Sequence, residues 1–188
     1  GNPVETRRNY KYGIQRLPLM FQALEVPVVA AVNGHAIGAG LDLATMCDVR
    51  VAAESAKFAE SFVKLGIIPG DGGAWLLPRI VGFSRATELA LTGEMIDAAE
   101  ALKIGLVSHV VADADLLTKA REIAAKIAAN PPHAVRMTKR LLREGQMADL
   151  KNILEMSAAM QSLAHNTRDN DEAINAFIEK RAPVFTGE

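Results

Sequence analysis

The sequence has little of several features that would direct it to whole classes of partner. Its 188 residues include one cysteine, Cys47, so no internal disulfide can form. Cys47 lies in an apolar run, which favours a reducing compartment such as the cytoplasm. Lys and Arg number 21 against 22 Asp and Glu, a net charge of -1 that supplies no overall attraction to nucleic acid or anionic lipid. We therefore expect a cytoplasmic protein that holds any anionic ligand at a local site.

Membrane and metal signals are also missing. No apolar run approaches the roughly 20 residues of a membrane span, and the polar start GNPVETRRNYKYG has no hydrophobic signal region. The four histidines lack the spacing of metal ligands. No GxSxG, GxGxxG or GK[ST] motif occurs, which argues against a serine hydrolase, a dinucleotide fold and a P-loop. We expect no nucleic-acid, membrane or metal partner.

Enough apolar sequence is present for a packed core. Hydrophobic residues make up 49% and charged residues 23% of the chain, the composition of a globular domain. The run VPVVAAV over 26–32 predicts a parallel strand buried on both faces, and a glycine-rich turn then leads into a short apolar helix. Residues 48–52 alternate as a half-covered strand, and 106–111 predict a last strand. This order predicts an α/β fold with crossover connections.

Helices dominate the rest of the prediction. We expect a helix or kinked pair over 12–24, a helix over 84–91 capped by Ser84 and stopped by Gly93, and a helix capped by Asp97. After the helix that starts at Leu116, the chain shows no strand signal. We predict an α/β core over 1–130 and an all-helical region over 131–188 that packs on the core or on a neighbouring subunit.

The first glycine-rich turn offers backbone N–H groups at a helix start, where an anion or a developing oxyanion is stabilised. A plain strand-to-helix turn that binds nothing is equally consistent with the spacing. Asp42 lies in the first turn of that helix among apolar residues, so it is either a capping residue or a carboxyl with a raised pKa. Glu60 and Asp71 are further acid or base candidates, although an aspartate in a glycine-rich loop is also a common turn former.

Beyond these single residues, the stretch VPVVAAVNGHAIGAGLDLATMCDVRVAAESAKFAESFVKLGIIPGDGGAWLLPRIVG resembles the enoyl-CoA hydratase/isomerase, or crotonase, superfamily. The resemblance runs on through LALTGEMIDAAEALKIGLVSHVV to AFIEKRAPVF. It implies a spiral of strand-strand-helix repeats with a C-terminal all-helical region, assembled as a homotrimer or a dimer of trimers. It also implies that an N-terminal part of the fold precedes this sequence, with the polar start as the far side of a flexible loop near the pocket.

The resemblance assigns roles to individual residues. It implies that the backbone N–H of Ala39, flanked by Gly38 and Gly40, holds the carbonyl oxygen of an acyl-CoA thioester. Of the two glutamates that hydratases of this family use, the first falls on Asp42 and the second on Phe62, which cannot carry a proton. Glu60, two residues earlier on what would be an extended segment, or Asp71 would then share the acid–base work.

Four further residues complete the implied substrate site. Phe62, Leu65 and Gly70 would line the acyl pocket, and Lys180 would contact the nucleotide part of coenzyme A bound to an adjacent subunit. The function implied is that of an acyl-CoA hydratase or isomerase in fatty-acid or related catabolism, with coenzyme A as part of the substrate and no separate cofactor. The alternative is a non-catalytic member that binds acyl-CoA, which the phenylalanine at position 62 favours.

Overall fold

The computed structural model describes residues 2–188 and folds them into ten α-helices, six short strands and two 3₁₀ helices. The α-helices are α1 Pro3–Tyr12, α2 Arg16–Ala23, α3 Ala39–Met46, α4 Gly73–Val81, α5 Phe83–Thr92, α6 Ala98–Lys103, α7 Leu116–Ala128, α8 Pro132–Glu144, α9 Leu150–His165 and α10 Arg168–Glu179. The strands are β1 Val29–Val32, β2 His35–Ile37, β3 Val49–Ala53, β4 Lys57–Ala59, β5 Met95–Asp97 and β6 His109–Val111. The 3₁₀ helices are Phe62–Leu65 and Asp113–Asp115.

The strands form two three-stranded sheets. The first has the order β1-β3-β6 and is wholly parallel. In the second, of order β2-β4-β5, β2 and β4 are parallel and β5 is antiparallel to β4. The predicted α/β class is confirmed, and the parallel pairing of β1 with β3 agrees with the crossover connection predicted between them.

The buried core is built from small and branched apolar side chains contributed by both sheets and by the helices that cover them. Its largest fully buried member is Phe58 on β4, beside Leu41 of α3 and Leu77 of α4. Helices α3 and α4 pack against each other, and their first turns meet where Gly73 lies against the carboxyl of Asp42. That region carries the candidate site.

The burial of β1 and β3 is the reverse of the prediction, in which β1 was buried on both faces and β3 was half-covered. β1 is only half-buried along its whole length because it pairs on one side, with β3. β3 pairs on both sides, and every residue from Arg50 to Ala53 is buried. The apolar–polar alternation of residues 48–52, which predicted a half-covered strand, depends on the charged Arg50. In the structure, Nε of Arg50 donates to the carbonyl of Leu106 at 2.7 Å, and its Nη1 donates to the carbonyl of Cys47 at 2.6 Å. A charged side chain satisfied by buried carbonyls resembles a solvent-facing one in sequence.

The start of the chain is helical, so the prediction of a flexible loop there was wrong. α1 begins after Asn2, whose side-chain oxygen accepts from the backbone N–H of Glu5 at 2.9 Å, and Pro3 occupies its first turn. Pro18 falls in the first turn of α2, where a missing N–H costs nothing, so it does not kink a longer helix. Gly1 lies outside the described residues.

Strands β2, β4 and β5 were not predicted, because three residues are too few to show a period. β6 is equally short but lies within the longer segment 106–111 that predicted a strand. Helix α5 begins after Gly82 (φ +80°) rather than at Ser84, which lies within the helix and does not cap it. The helix over 116–128 and the end of α5 at Gly93 (φ +59°) agree with the predictions. Residues beyond Pro132 form helices α8, α9 and α10, as expected.

Two compact units result from the packing of the chain. One comprises residues 1–24 and 28–122, and it contains both sheets. The other comprises residues 25–27 and 123–188, where Lys139 is buried and its Nζ donates to the carbonyl of Val26 at 2.6 Å. The domain boundary placed at residue 130 stays a prediction. None of the helices described in residues 2–188 has the length and apolar character needed to cross a membrane.

Candidate active site

Three carboxyl side chains meet inside the first unit. Asp42 lies in the first turn of α3, Glu60 follows β4, and Asp71 lies in the loop before α4. The parallel strands β2 and β4 end side by side, with Ile37 opposite Ala59, so the segments that follow them are neighbours. The side chains of the three acidic residues are 0%, 1% and 5% exposed, respectively, which is rare for ionisable groups. We call Asp42, Glu60 and Asp71 the carboxyl cluster.

Gly73 makes room for this cluster. It is the first residue of α4, and a Cβ placed on it would overlap Oδ1 of Asp42 and lie 2.5 Å from Oε1 of Glu60. Both carboxyl groups therefore approach the backbone at the N-terminus of α4, where the partial positive charge of the helix favours a negative group. Any side chain at position 73 would occupy the space that the two carboxyl groups use.

The cluster is short of hydrogen-bond partners. Among the described residues, no group outside the cluster donates a hydrogen bond of good geometry to either oxygen of Asp42, either oxygen of Glu60 or Oδ1 of Asp71. The nearest polar groups are the other carboxyls of the cluster, which share a hydrogen bond only when one of them is protonated, and the backbone N–H of Gly73. Buried polar atoms are nearly always satisfied in folded proteins, and leaving one unsatisfied costs about 1–3 kcal/mol. Several such atoms in one place are the mark of a site that meets a polar molecule or exchanges protons.

Burial also changes the acidity of the cluster. Loss of hydration raises the pKa of Asp42 to about 9, with further contributions from the Asp71 carboxyl and the charge of Glu60, while the backbone N–H of Gly73 acts in the opposite direction. Burial raises the pKa of Glu60 to about 7, with the Asp42 carboxyl opposing the rise and the charge of Asp71 adding to it. At neutral pH the cluster thus contains a protonated carboxyl beside one that gains and loses its proton readily.

The glycine-rich turn lies beside this cluster. Gly38 has φ +53°, and its N–H donates to the carbonyl of Ala59 at 2.8 Å, which ties the turn to the end of β4. Ala39 and Gly40 are exposed and begin α3, so their N–H groups have no acceptor within the helix. A Cβ on Gly40 would meet nothing within 4 Å, so there is open space on that side of the turn.

Phe62 closes one side of the turn. Its ring lies against Gly38, where a Cβ would come within 3.4 Å of the ring carbon Cζ. The prediction of an extended segment from Glu60 to Phe62 was wrong, because the chain enters a 3₁₀ helix at Phe62. Glu60 reaches the cluster from the end of β4 instead.

Not every predicted site residue joins this group. Gly70 is half-buried in the loop that carries Asp71, whereas Leu65 is 75% exposed at the end of the 3₁₀ helix. Lys180 belongs to the second unit, where it caps the C-terminus of α10 with φ 55°. The roles of Leu65 and Lys180 in substrate binding stay predictions.

The loop before α4 makes contacts that sequence reasoning did not find. Nε2 of Gln15 donates to the carbonyl of Gly70 at 2.8 Å, and a Cβ on Gly70 would come within 2.7 Å of the ring of Tyr10. Pro18 lies against Gly72, where a Cβ would be 3.3 Å away. No periodicity or motif joins residues 55 positions apart, so the only available signal was the run of glycines, which allows other backbone to come close.

The arrangement combines the parts needed for proton transfer next to a polarised carbonyl. Backbone N–H groups can stabilise a developing oxyanion, and a protonated and an ionisable carboxyl lie close by as acid and base. Among the described residues, no cluster of three or more His, Cys, Asp or Glu side chains has an arrangement that could hold a metal ion.

Comparison with known proteins identifies the fold. A short-chain-enoyl-CoA hydratase of Clostridium acetobutylicum is 41% identical over 96% of this chain and 69% of its own length. A 2,3-dehydroadipyl-CoA hydratase of Escherichia coli is 43% identical over 88% of this chain and 65% of its own length. The crystal structure of an enoyl-CoA hydratase from Bacillus anthracis superposes with a TM-score of 0.95 at 42% identity, covering 100% of this chain and 72% of that one.

The structural match confirms the predicted crotonase-like fold. The chain spans about two thirds of the length of the curated relatives it matches. The family model described as enoyl-CoA hydratase/isomerase matches residues 2–188. The chain therefore belongs to the enoyl-CoA hydratase/isomerase family.

Proposed function

We propose that this chain carries the proton-transfer site of an enzyme that acts on the double bond of an acyl-CoA thioester, as a hydratase or an isomerase. The observation that carries the proposal is the carboxyl cluster itself: three buried carboxyl groups, short of hydrogen-bond partners, beside the exposed N–H groups of Ala39 and Gly40. Relatives named as hydratases of crotonyl-CoA and 2,3-dehydroadipyl-CoA support the acyl-CoA class.

The chemistry assigns a task to each part. In isomerisation of a 3-enoyl thioester, an ionised carboxyl removes a proton from the carbon next to the thioester carbonyl, and the electrons move onto the carbonyl oxygen. The N–H of Ala39 stabilises that oxyanion, and a preorganised donor of this kind contributes about 2.7–4 kcal/mol. A protonated carboxyl then delivers a proton to the γ carbon, which leaves the double bond conjugated with the thioester.

Hydration uses the same groups with a bound water. The ionised carboxyl takes a proton from water as the oxygen bonds to the β carbon of a 2-enoyl thioester, and the protonated carboxyl supplies a proton to the α carbon. We assign the protonated role to Asp42, whose pKa burial raises above neutrality, and the base role to Glu60, whose pKa burial raises to about 7. Asp71 is the alternative base by its place in the cluster. Proton transfer by a positioned group contributes about 10²–10⁴ in rate.

Phe62 supports a second candidate function. Its ring lies on Gly38, next to the proposed oxyanion donor, at the position where the resemblance implied a second glutamate. A phenylalanine there neither carries a proton nor holds water by a hydrogen bond. The second candidate is therefore a protein that binds acyl-CoA without converting it.

One assay separates the two candidates. The full-length protein, in its native oligomer, is incubated with a 2-enoyl-CoA and a 3-enoyl-CoA, and the products are separated and identified. We expect turnover of at least one substrate, with kcat falling about 10²-fold or more in Asp42→Asn. Asp115→Asn, at an exposed aspartate of a 3₁₀ helix, is the matched control and should leave kcat unchanged.

The outcomes are distinct. Turnover that depends on Asp42 supports the enzyme. Binding of acyl-CoA with the same affinity in wild type and Asp42→Asn, without any product, identifies the binding protein and overturns the enzyme assignment.

We further propose that the chain works as a homotrimer or a dimer of trimers in the cytoplasm, with Lys180 contacting the nucleotide part of the substrate. The helices of the second unit support the oligomer, because they leave large apolar side chains exposed. The single cysteine of the sequence supports a reducing compartment. If Lys180→Ala leaves the affinity for acyl-CoA unchanged at low and high salt, Lys180 has no such role.

A further inference from the structure

The loop that carries Asp71 has little to hold it in one conformation by itself. Its sequence is Pro69-Gly70-Asp71-Gly72-Gly73, and Gly72 has φ +126°. The carbonyl of Gly72 accepts from the N–H groups of Trp75 and Leu76, so regular hydrogen bonding starts only after Asp71. Glycines on either side leave the backbone free to adopt many conformations. The position of the Asp71 carboxyl must therefore be decided by contacts from outside the loop.

Those contacts come from the first two helices. Gln15, between α1 and α2, donates from Nε2 to the carbonyl of Gly70 at 2.8 Å, and this bond is partly buried. The ring of Tyr10 lies against the Cα of Gly70, and Pro18 lies against Gly72. All of these residues belong to the first unit, which also contains the carboxyl cluster.

We propose that Gln15 is a positioning residue for the proton-transfer site: by donating to the Gly70 carbonyl, one residue before Asp71, it holds the Asp71 carboxyl in the cluster. Gln15 itself contacts the Gly70 backbone and acts through the loop. Tyr10 supports it by filling the space above Gly70, where only a glycine leaves room for the ring. The catalytic part of this proposal rests on the proposed function above, whereas the structural part does not.

The consequence of losing Gln15 follows from the neighbours of Asp42. The ionisable groups that face Asp42 are Glu60, from the end of β4, and Asp71, from the loop, with the backbone of Gly73 at the start of α4. The presence of Asp71 raises the pKa of both Asp42 and Glu60. If the loop is released and the Asp71 carboxyl leaves, its contribution is lost and both pKa values fall, while burial, the larger cause, continues to hold them above the ordinary carboxyl range.

The test measures the acidity of Asp42 without any substrate. Asp42 is titrated by carboxyl ¹³C NMR in the full-length protein, and its resonance is assigned by its loss in Asp42→Asn. In Gln15→Met, which keeps the size of the side chain but removes the donor, we expect the midpoint to fall by about 0.5–1 pH unit. Gln146→Met, at an exposed glutamine after α8, is the matched control and should titrate as wild type does.

A second variant, Tyr10→Leu, tests the same contact if Gln15→Met fails to fold. Tyr10→Leu removes the ring that lies on Gly70 but keeps Gln15, and it should shift the midpoint in the same direction by a smaller amount. If folded Gln15→Met and Tyr10→Leu both titrate as wild type does, Gln15 does not position Asp71.

An activity measurement separates this proposal from the proposed function. With an acyl-CoA that the wild type converts, Gln15→Met should lower kcat about 3–10-fold with KM little changed, because a proton carrier is misplaced and binding groups are not. A wild type that converts no acyl-CoA overturns the proposed function alone, since the NMR titration still decides the role of Gln15. An unchanged kcat in Gln15→Met, in an active enzyme, overturns the catalytic part of the proposal, in which the Asp71 carboxyl held by Gln15 takes part in proton transfer.

Discussion

At the scale of single residues, the site depends on one glycine as much as on its acids. Gly73 lies at the N-terminus of α4, and the absence of its side chain lets Asp42 and Glu60 approach the helix backbone. The same approach removes both carboxyl groups from water, which raises their pKa values. Space, burial and acidity at this site are thus set together by residues on three different elements.

Gly73→Ala should destabilise the protein because the new Cβ overlaps Oδ1 of Asp42. We expect a loss of about 1–3 kcal/mol, the usual cost of overpacking a core, measured by urea denaturation. Gly34→Ala is the matched control, since a Cβ there would meet nothing within 4 Å and φ is not positive. Equal stability of the two variants would show that the cluster has free space around Gly73.

Stability should depend on pH through Asp42. Its pKa is raised from 3.8 in the unfolded chain to about 9 in the fold, so the folded state holds a proton that the unfolded state has lost. The contribution is complete below pH 3.8 and declines as pH rises toward about 9, at up to about 1.4 kcal/mol per pH unit for one proton.

The neutral amide in Asp42→Asn should flatten that decline. Urea denaturation of wild type and Asp42→Asn at a series of pH values between these limits measures it, with Asp115→Asn as the control. Parallel curves for wild type and Asp42→Asn would contradict a protonated Asp42 in the fold.

At the scale of elements, the N-cap residue of α6 was predicted correctly and that of α5 was not. The Oδ1 of Asp97 accepts from the N–H of Glu100 at 2.9 Å, so α6 begins where the capping pattern placed it. The N-cap of α5 is Gly82, two residues before the expected cap Ser84, and the helix begins at Phe83. A serine within three residues of a helix start resembles a cap in sequence, and only the backbone angles distinguish the two cases.

Alanine substitutions at Asp97 and Ser84 compare the stability of the protein without a true N-cap and without a residue that only resembles one. Asp97→Ala should cost about 1 kcal/mol of stability, because it leaves the N–H of Glu100 without its acceptor. Ser84→Ala should change stability by less than about 0.5 kcal/mol, since Ser84 is exposed and makes no cap. Thermal unfolding of the two variants beside the wild type measures both effects, and a larger loss in Ser84→Ala would contradict the observed start of α5.

At the scale of the whole molecule, the second unit leaves several large apolar side chains exposed. Helices α9 and α10 present large side chains to solvent, and Phe177 is 85% exposed. Exposed apolar patches of this kind mark sites of protein–protein contact. This supports the proposed oligomer, whose assembly would cover the faces that one chain leaves open.

Phe177→Asp should therefore lower the mass of the assembly. A charge on a face that is buried on association is costly to desolvate, so we expect dissociation at micromolar concentration, measured by light scattering after size exclusion. Arg121→Asp introduces the same side chain at an exposed polar position of α7 and should leave the mass unchanged. An unaltered mass in Phe177→Asp would remove Phe177 from the interface.

Local features of the fold could be predicted, whereas the burial of individual strands could not. The apolar run of β1, the glycine that ends α5 and the cap of α6 are each encoded within a few residues. The burial of β3 depends on pairing with both β1 and β6, and Arg50 in its middle is satisfied by carbonyls that other segments supply. The sequence of a strand does not determine which strands pair with it, and its burial depends on that pairing.

The candidate site divides in the same way. The sequence by itself identified the glycine-rich turn and named Asp42, Glu60 and Asp71 as acids in apolar or glycine-rich surroundings, because local composition restricts backbone and charge. Only the tertiary structure decided that the three meet, that Gly73 leaves the space for them, and that Gln15 and Tyr10 hold the loop of Asp71. The physical reason is that proximity and desolvation arise from packing between elements, and no residue carries either property alone.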